Sequence, residues 1–268
     1  MKAVFFDIDG TLTVNNRPPH PEDAAAIRAL RARGHRAFLC TARSRGYILD
    51  NLLAVGFDGL VAGAGAYVAL LGGQADSLPG GPPALAATPE ETVLCRRRVD
   101  ADTVRRVAAH FFTLPGTCLL EGERDNYRIG PDIGCGFEAL PSPDLSDAWC
   151  AAHPITKFTL YGSGLRPGTL ALLEHAFTVI QHPTYAEAVL KGCSKAGGVK
   201  MVCEALSIPL ADTVGFGDSL NDLDMLQAVG IGVAMGDAPD EVRTAAAFVT
   251  GTQPQAGVAQ GLKRLGLI

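Results

Sequence analysis

Apolar runs that stop abruptly at polar residues mark both ends of the chain. Ala3–Asp7 is short, apolar and ended by carboxylates, the pattern of a parallel strand buried on both faces. A loop through Pro18, Pro19 and Pro21 follows. Glu22–Arg33 then places Ala26 and Leu30 on one face and is succeeded by Gly34, which predicts a helix and its stop. His35–Cys40 predicts a second strand ending at Thr41. Ser44–Val55 predicts a helix closed by Gly56, and Gly59–Val61 begins another strand. After Ser194 the same alternation returns. Lys195–Leu206 predicts a helix, Thr213–Gly217 a strand running into Asp218, and Asn221–Val229 a helix; Ile231–Ala234 and Phe248–Thr250 are short strands.

The middle of the chain reads differently. Residues 72–89 hold a Gly/Pro-rich stretch expected to be a surface connection. Beyond it Val99–Phe112 is helical in pattern, Lys157–Tyr161 strand-like, Pro167–Ala176 helical and Phe177–Gln181 strand-like, without carboxylates at the strand ends. The expected fold is α/β: a Rossmann-like, doubly wound parallel-sheet core built from residues 1–82 and 184–268, with an α+β domain inserted at 83–183.

Composition narrows the picture. The 268 residues are 47% hydrophobic and 19% charged, enough for a substantial core and too apolar for a disordered chain. A net charge of −5 gives no basic surface for nucleic acid or anionic membrane, so an anionic substrate must meet a local cation. The longest uncharged stretch, 17 residues from Gly59 to Ala75, is glycine-rich and short for a bilayer span. Asp7 and Asp9 interrupt the N-terminus too early for a signal peptide, and the expectation is a soluble cytoplasmic protein. Seven dispersed cysteines lack a CxxC pair, and six histidines show no ligand spacing, which argues against zinc or thiol chemistry. No heptad or apolar stripe indicates an oligomeric state.

The chemistry gathers at strand ends. Asp7-Ile8-Asp9-Gly10-Thr11 ends the first strand, where ligands bind in open α/β sheets. Two aspartates two residues apart crowd like charge, which a shared cation relieves. Gly10 permits a tight turn and lets its amide approach an anion. Gly217-Asp218-Ser219-Leu220-Asn221-Asp222 ends a second strand, and its oxygen ligands suit Mg²⁺. Helix capping by Ser219 or Asn221 would explain part of that pattern but not Asp218 and Asp222 together. Thr41 could donate to a phosphoryl oxygen, and Lys195 could balance clustered negative charge.

Taken together, these segments resemble the haloacid dehalogenase superfamily of phosphohydrolases. Asp7-Ile8-Asp9-Gly10-Thr11 fits its first motif, Thr41 its second, Lys195 its third and Gly217-Asp218-x-x-Asn221-Asp222 its fourth. Thr41-Ala42-Arg43, Cys193-Ser194-Lys195-Ala196 and Gly232-Val233-Ala234-Met235-Gly236 are similar to the Cof-type branch, which carries a large C2-type cap between the second and third motifs. The resemblance implies that Asp7 is a nucleophile forming an aspartyl-phosphate and Asp9 the general acid/base. It implies Mg²⁺ held by Asp7, the Asp9 backbone carbonyl and Asp218, with Asp222 close by. Gly10, Thr11, Thr41, Ala42, Lys195 and Asn221 would bind the phosphoryl group of a small phosphorylated metabolite, such as a sugar phosphate or phosphoglycolate. Ala64-Gly65-Ala66 and Asp237 depart from the branch's usual Asn-Gly-Ala and Asn. Arg124, Arg128 and Lys157 are the cap residues singled out for specificity, and Arg96-Arg97-Arg98 is expected on the surface. A phosphotransferase or phosphomutase of the same superfamily, and a phospholigand-binding protein without turnover, are the alternatives.

Overall fold

A computed structural model of the chain describes residues 1–72, 90–162 and 166–268. Nearly all of the expected connection at 72–89 therefore lies outside the described residues. The chain divides into two compact units. Met1–Ala42, Leu49–Cys95 and Ser194–Ile268 form the first, and Arg43–Ile48 with Arg96–Cys193 the second.

In chain order the elements begin with β1 (Ala3–Phe6), α1 (Pro21–Ala32), β2 (Arg36–Cys40), α2 (Asp50–Leu53), β3 (Gly59–Ala62), β4 (Tyr67–Leu71) and β5 (Glu91–Arg96). There follow α3 (Ala101–Phe112), β6 (Thr117–Gly122), β7 (Asn126–Ile129), β8 (Glu138–Ala139), α4 (Asp147–Ala152), β9 (Ile155–Tyr161), α5 (Pro167–Leu173), β10 (Phe177–Gln181) and β11 (Tyr185–Leu190). The chain closes with α6 (Lys195–Leu206), β12 (Thr213–Gly217), α7 (Leu223–Ala228), β13 (Ile231–Ala234), α8 (Asp240–Ala245), β14 (Phe248–Val249) and α9 (Gly257–Arg264).

The first sheet runs β14-β13-β12-β1-β2-β3-β4-β5. Pairing is parallel from β14 through β3, and β4 turns back antiparallel on β3. After β1 the chain builds outward through β2 and β3; after β12 it builds the other way. The topological switch point therefore lies between β1 and β12, where α/β sheets open a crevice at their carboxyl ends. Val4, Phe5 and Phe6 are fully buried, as a central parallel strand requires. Phe6 stacks on Phe216 across the β1–β12 pair, ring centres 5.3 Å apart.

The second sheet runs β10-β11-β9-β6-β7-β8 and is antiparallel except where β7 meets β8. Leu120, Phe158, Leu160 and Ala188 point from one of its faces into a core shared with Val107 and Phe111 of α3 and Leu173 of α5. The opposite arrangement of side chains gives a polar set: Lys157 is buried between Glu121, at 3.6 Å, and Glu187.

One expectation is corrected. The helix expected over Ser44–Val55 is a single turn at Arg45–Tyr47 and the short α2, because Ser44 and Gly46 are held by Asn126 and Glu121 of the second unit, to which residues 43–48 belong. By compactness the first unit runs to Cys95 and resumes at Ser194, with β5 continuing the first sheet and β11 completing the second. Lys157, one of three candidate specificity residues in the sequence, is enclosed by carboxylates within its own sheet.

Candidate active site

Six side chains converge at the carboxyl ends of β1 and β12. Asp7 follows β1, its N–H donating to the Phe216 carbonyl at 3.0 Å, so β12 sets its position. Lys195 opens α6, whose preceding Ser194 caps the helix by accepting from the Gly197 N–H at 3.0 Å. The Lys195 ammonium donates to Asp7 Oδ1 at 2.6 Å, to Asp222 Oδ1 at 2.5 Å and to Asn221 Oδ1 at 3.1 Å. All three donor positions of the ammonium are thus committed while it sits fully buried.

Asp222 is buried with both oxygens engaged. Oδ1 takes the ammonium and Oδ2 accepts the N–H groups of Asp218 and Ser219, at 3.1 and 3.0 Å. Ser219 and Asp222 form a reciprocal capping box around the turn Leu220–Asp222. Capping and charge placement, weighed against each other in the sequence, are performed by the same residue. Gly217 admits this packing, since a Cβ there would lie 2.6 Å from that of Asp222.

Asp218 stands beside the pair. Its Oδ1 accepts from the Thr11 hydroxyl at 3.0 Å. Gly10 has φ +86°, and a Cβ there would fall 2.2 Å from Asp218 Oδ2. Gly10 N–H donates to the Thr13 carbonyl at 2.8 Å, so it closes the turn after Asp9. Thr11 seats Asp218, and Gly10 supplies space and a left-handed backbone while its amide is spent within the loop.

The electrostatics follow from burial and crowding. Burial and the neighbouring Asp222 push the Asp7 carboxyl well above its ordinary value against the pull of Lys195, and Asp218 and Asp9 add to the rise. Burial and Asp222 push Asp218 up to about 7, with Thr11 and Lys195 opposing and Asp237 contributing. Burial works against the ammonium of Lys195, but Asp222 and Asp7 outweigh it and hold its pKa well above the ordinary value. Carboxylate oxygens of Asp7, Asp218 and Asp222 lie within 4.8 Å of one another. Three carboxylates facing one ammonium leave negative charge for a cation to balance, and hard oxygen donors suit Mg²⁺.

The remaining expected residues fall nearby with distinct surroundings. Asp9 is exposed, and its charge reaches Asp7. Thr41 is buried just beyond β2; its N–H donates to Val61 at 2.8 Å and its carbonyl accepts from Ala64 at 3.0 Å. Ala42 is buried beside it, and Asn221 also accepts from the Ser219 hydroxyl at 3.0 Å. Burial pushes the thiols of Cys40 and Cys118 well up, and that of Cys203 to about 11, which leaves them poor nucleophiles. Sequence reading missed the part of Asp237, whose charge reaches Asp218; its position after Met235-Gly236 in a strand-end loop is the available signal.

The fold agrees with comparison to known proteins. A family model described as haloacid dehalogenase-like hydrolase matches residues 4–75 and 170–262, more than half of the chain. The chain belongs to the haloacid dehalogenase-like hydrolases. Within that family it is a phosphoric monoester hydrolase, and its relatives carry phosphatase names. It is 27% identical to the Bacillus subtilis (strain 168) protein named "Putative phosphatase YkrA", over 100% of this chain and 98% of that protein. It is 26% identical to the phosphoglycolate phosphatase of Methanopyrus kandleri, over 98% and 96%. The HAD subclass IIB sugar phosphatase BT4131 shares the fold, with a TM-score of 0.78 at 24% identity and full coverage of both chains.

Proposed function

We propose that the chain is a Mg²⁺-dependent phosphatase that hydrolyses small organic phosphate monoesters through an aspartyl-phosphate on Asp7. The observation that carries this reading is the buried Lys195 ammonium shared by Asp7 and Asp222 beside Asp218 at the switch point. Phosphoryl transfer asks chiefly for positioning and charge neutralisation, and this is a site built for both. The names of the relatives support a sugar phosphate or a phosphoglycolate-like ester as the substrate class.

In this scheme a carboxylate oxygen of Asp7 attacks phosphorus while the bond from phosphorus to the ester oxygen breaks. Asp9, exposed beside Asp7, gives its proton to the departing alcohol oxygen. Asp9 then takes a proton from water, whose oxygen attacks the aspartyl-phosphate, releasing phosphate and restoring Asp7. Lys195 fixes the orientation of Asp7 and offsets its charge, and Thr41, Ala42 and Asn221 hold phosphoryl oxygens. Asp7 and Asp218, with the Asp9 backbone carbonyl, would hold the metal, while Asp222 braces Lys195 and the Asp218 loop. Bound there, Mg²⁺ supplies charge neutralisation of the carboxylates and the phosphoryl group.

The test is phosphate release from a panel of small monoesters with Mg²⁺ or with EDTA. Release that requires the metal is expected. Stoichiometric transfer to a second sugar with little free phosphate would replace the hydrolase reading by the phosphotransferase one.

A further inference from the structure

The backbone leaves the first unit immediately after the residues proposed to hold the phosphoryl group. Thr41 and Ala42 close one segment of the first unit, and Arg43–Ile48, the next residues in the chain, belong to the second. Asn126, the first residue of β7, holds that short segment at two points. Its Oδ1 accepts from the Ser44 hydroxyl at 3.1 Å, and its Nδ2 donates to the Gly46 carbonyl at 2.9 Å. The same Oδ1 accepts from the Gly122 N–H at 3.2 Å, which fixes the amide group on the turn between β6 and β7.

Packing tightens the attachment. A Cβ on Gly46 would lie 2.7 Å from the Arg124 carbonyl oxygen, so only glycine brings the segment this close. Tyr47 meets Phe137 edge-on with ring centres 4.8 Å apart. The Ser44 N–H also donates to Glu121 at 3.4 Å. On its other side Thr41 is held to the sheet through Val61 and Ala64. Along the chain, Thr41 and Ala42 thus lie between backbone held at Val61 and Ala64 and a segment held by a side-chain amide about 80 residues downstream.

Resting on the phosphatase reading, we propose that Asn126 is a positioning residue for phosphate binding. By clamping Ser44 and Gly46 it sets the course of the backbone that presents Thr41 and Ala42. An amide is required because the clamp both accepts and donates. An aspartate could accept from Ser44 and Gly122 but could not donate to Gly46.

The experiment measures inhibition by inorganic phosphate, and kcat and KM for p-nitrophenyl phosphate with Mg²⁺, in the full-length chain and its variants. Asn126→Ala removes the clamp and should raise both the phosphate Ki and KM roughly tenfold, about the worth of one to two hydrogen bonds. Asn126→Asp should fall between. His110→Ala serves as the control: it breaks the 3.0 Å contact to Thr169 in the same unit, far in sequence from the clamp, and should leave Ki unchanged. A Ki for Asn126→Ala within about twofold of the parent, or an equal shift in His110→Ala, would overturn the proposal. If the parent hydrolyses nothing, the phosphatase reading fails by itself, and phosphorus NMR of phosphate binding to the same variants still decides the clamp. If the parent neither hydrolyses nor binds phosphate, both readings fall.

Discussion

Asp7 and Asp218 are held in opposite ways, and substitutions should separate their roles. Asp7→Asn keeps the size of the side chain and its contact with Lys195 but removes the nucleophilic oxygen anion. It should abolish steady-state turnover while leaving the unfolding midpoint close to the parent's, checked by phosphate release and thermal melting; measurable turnover would dismiss Asp7 as nucleophile. Gly10→Ala attacks the site from the backbone. A methyl group at φ +86° meets Asp218 Oδ2 and forces a residue with a side chain into the left-handed region. The conformational cost alone is about 1–2 kcal/mol, and displacement of Asp218 should weaken the metal requirement's midpoint by about tenfold or more, on the scale of a disturbed ligand environment. Urea unfolding and an activity titration with Mg²⁺ read the two effects separately.

Among the elements, α9 shows how a buried carboxylate substitutes for a missing cap. Its N-cap residue, Ala256, offers no side-chain acceptor, and the Asp23 carboxylate from α1 accepts from the Ala259 N–H at 2.7 Å instead. Asp23 is fully buried, and among the described residues its second oxygen has no hydrogen-bond partner. Burial pushes its pKa up to about 6, against the Ala259 hydrogen bond and the nearby His20, while Glu22 adds to the rise. A carboxyl raised in the fold favours the fold most when protonated. Its contribution is therefore complete below about pH 4 and is lost as pH rises through 6, by up to about 3 kcal/mol. Asp23→Asn should flatten this dependence, gaining stability relative to the parent between pH 5 and pH 8 in thermal melts. A difference between the two proteins that does not change with pH would dismiss the argument. The turn after β3 carries a different strain: Ala64 adopts φ 49°, ψ 43°. Ala64→Gly should stabilise by roughly 0.5–1 kcal/mol in urea unfolding by relieving the left-handed backbone.

The same elements show what the amino-acid order reveals on its own. β1, β2 and β12 were legible because apolar runs ended in carboxylates or threonine, and the switch point then followed from chain direction. Asp7 and Asp218 stand out for the same reason, as polar residues at ends where a buried strand must stop, and Lys195 as a cation at the start of a helix after Gly192-Cys193-Ser194. The turn at 43–48 was illegible because Asn126 and Glu121, which hold it, are about 80 residues away. That Thr11 and Gly10 also pack against Asp218 was not legible, because about 207 residues separate Thr11 from Asp218. Of the second sheet, β9 and β10 were legible from alternation, whereas β6, β7 and β11 were not picked out.

At the scale of the whole molecule, the surplus of negative charge at the switch point couples metal binding to stability. A cation that binds only the folded chain adds about 2.7 kcal/mol when present at a hundred times its dissociation constant. Mg²⁺ should raise the melting temperature of the parent, and Asp218→Ala should lose most of that increment. An equal rise in both would argue against Asp218 as a ligand. No described helix is long and apolar enough to cross a membrane.

The central place of β1 has a consequence for synthesis. Its partner β12 begins at Thr213, so about 200 residues separate the two strands of the innermost pair. At translation rates of about 5–20 residues per second, β1 waits about 10–40 s with one hydrogen-bonding edge unpaired. During that interval Asp7 has no Lys195, and Phe6 has no Phe216 to stack upon. A nascent chain halted before residue 213 would therefore present an open apolar strand edge, the feature that chaperones capture and aggregates propagate.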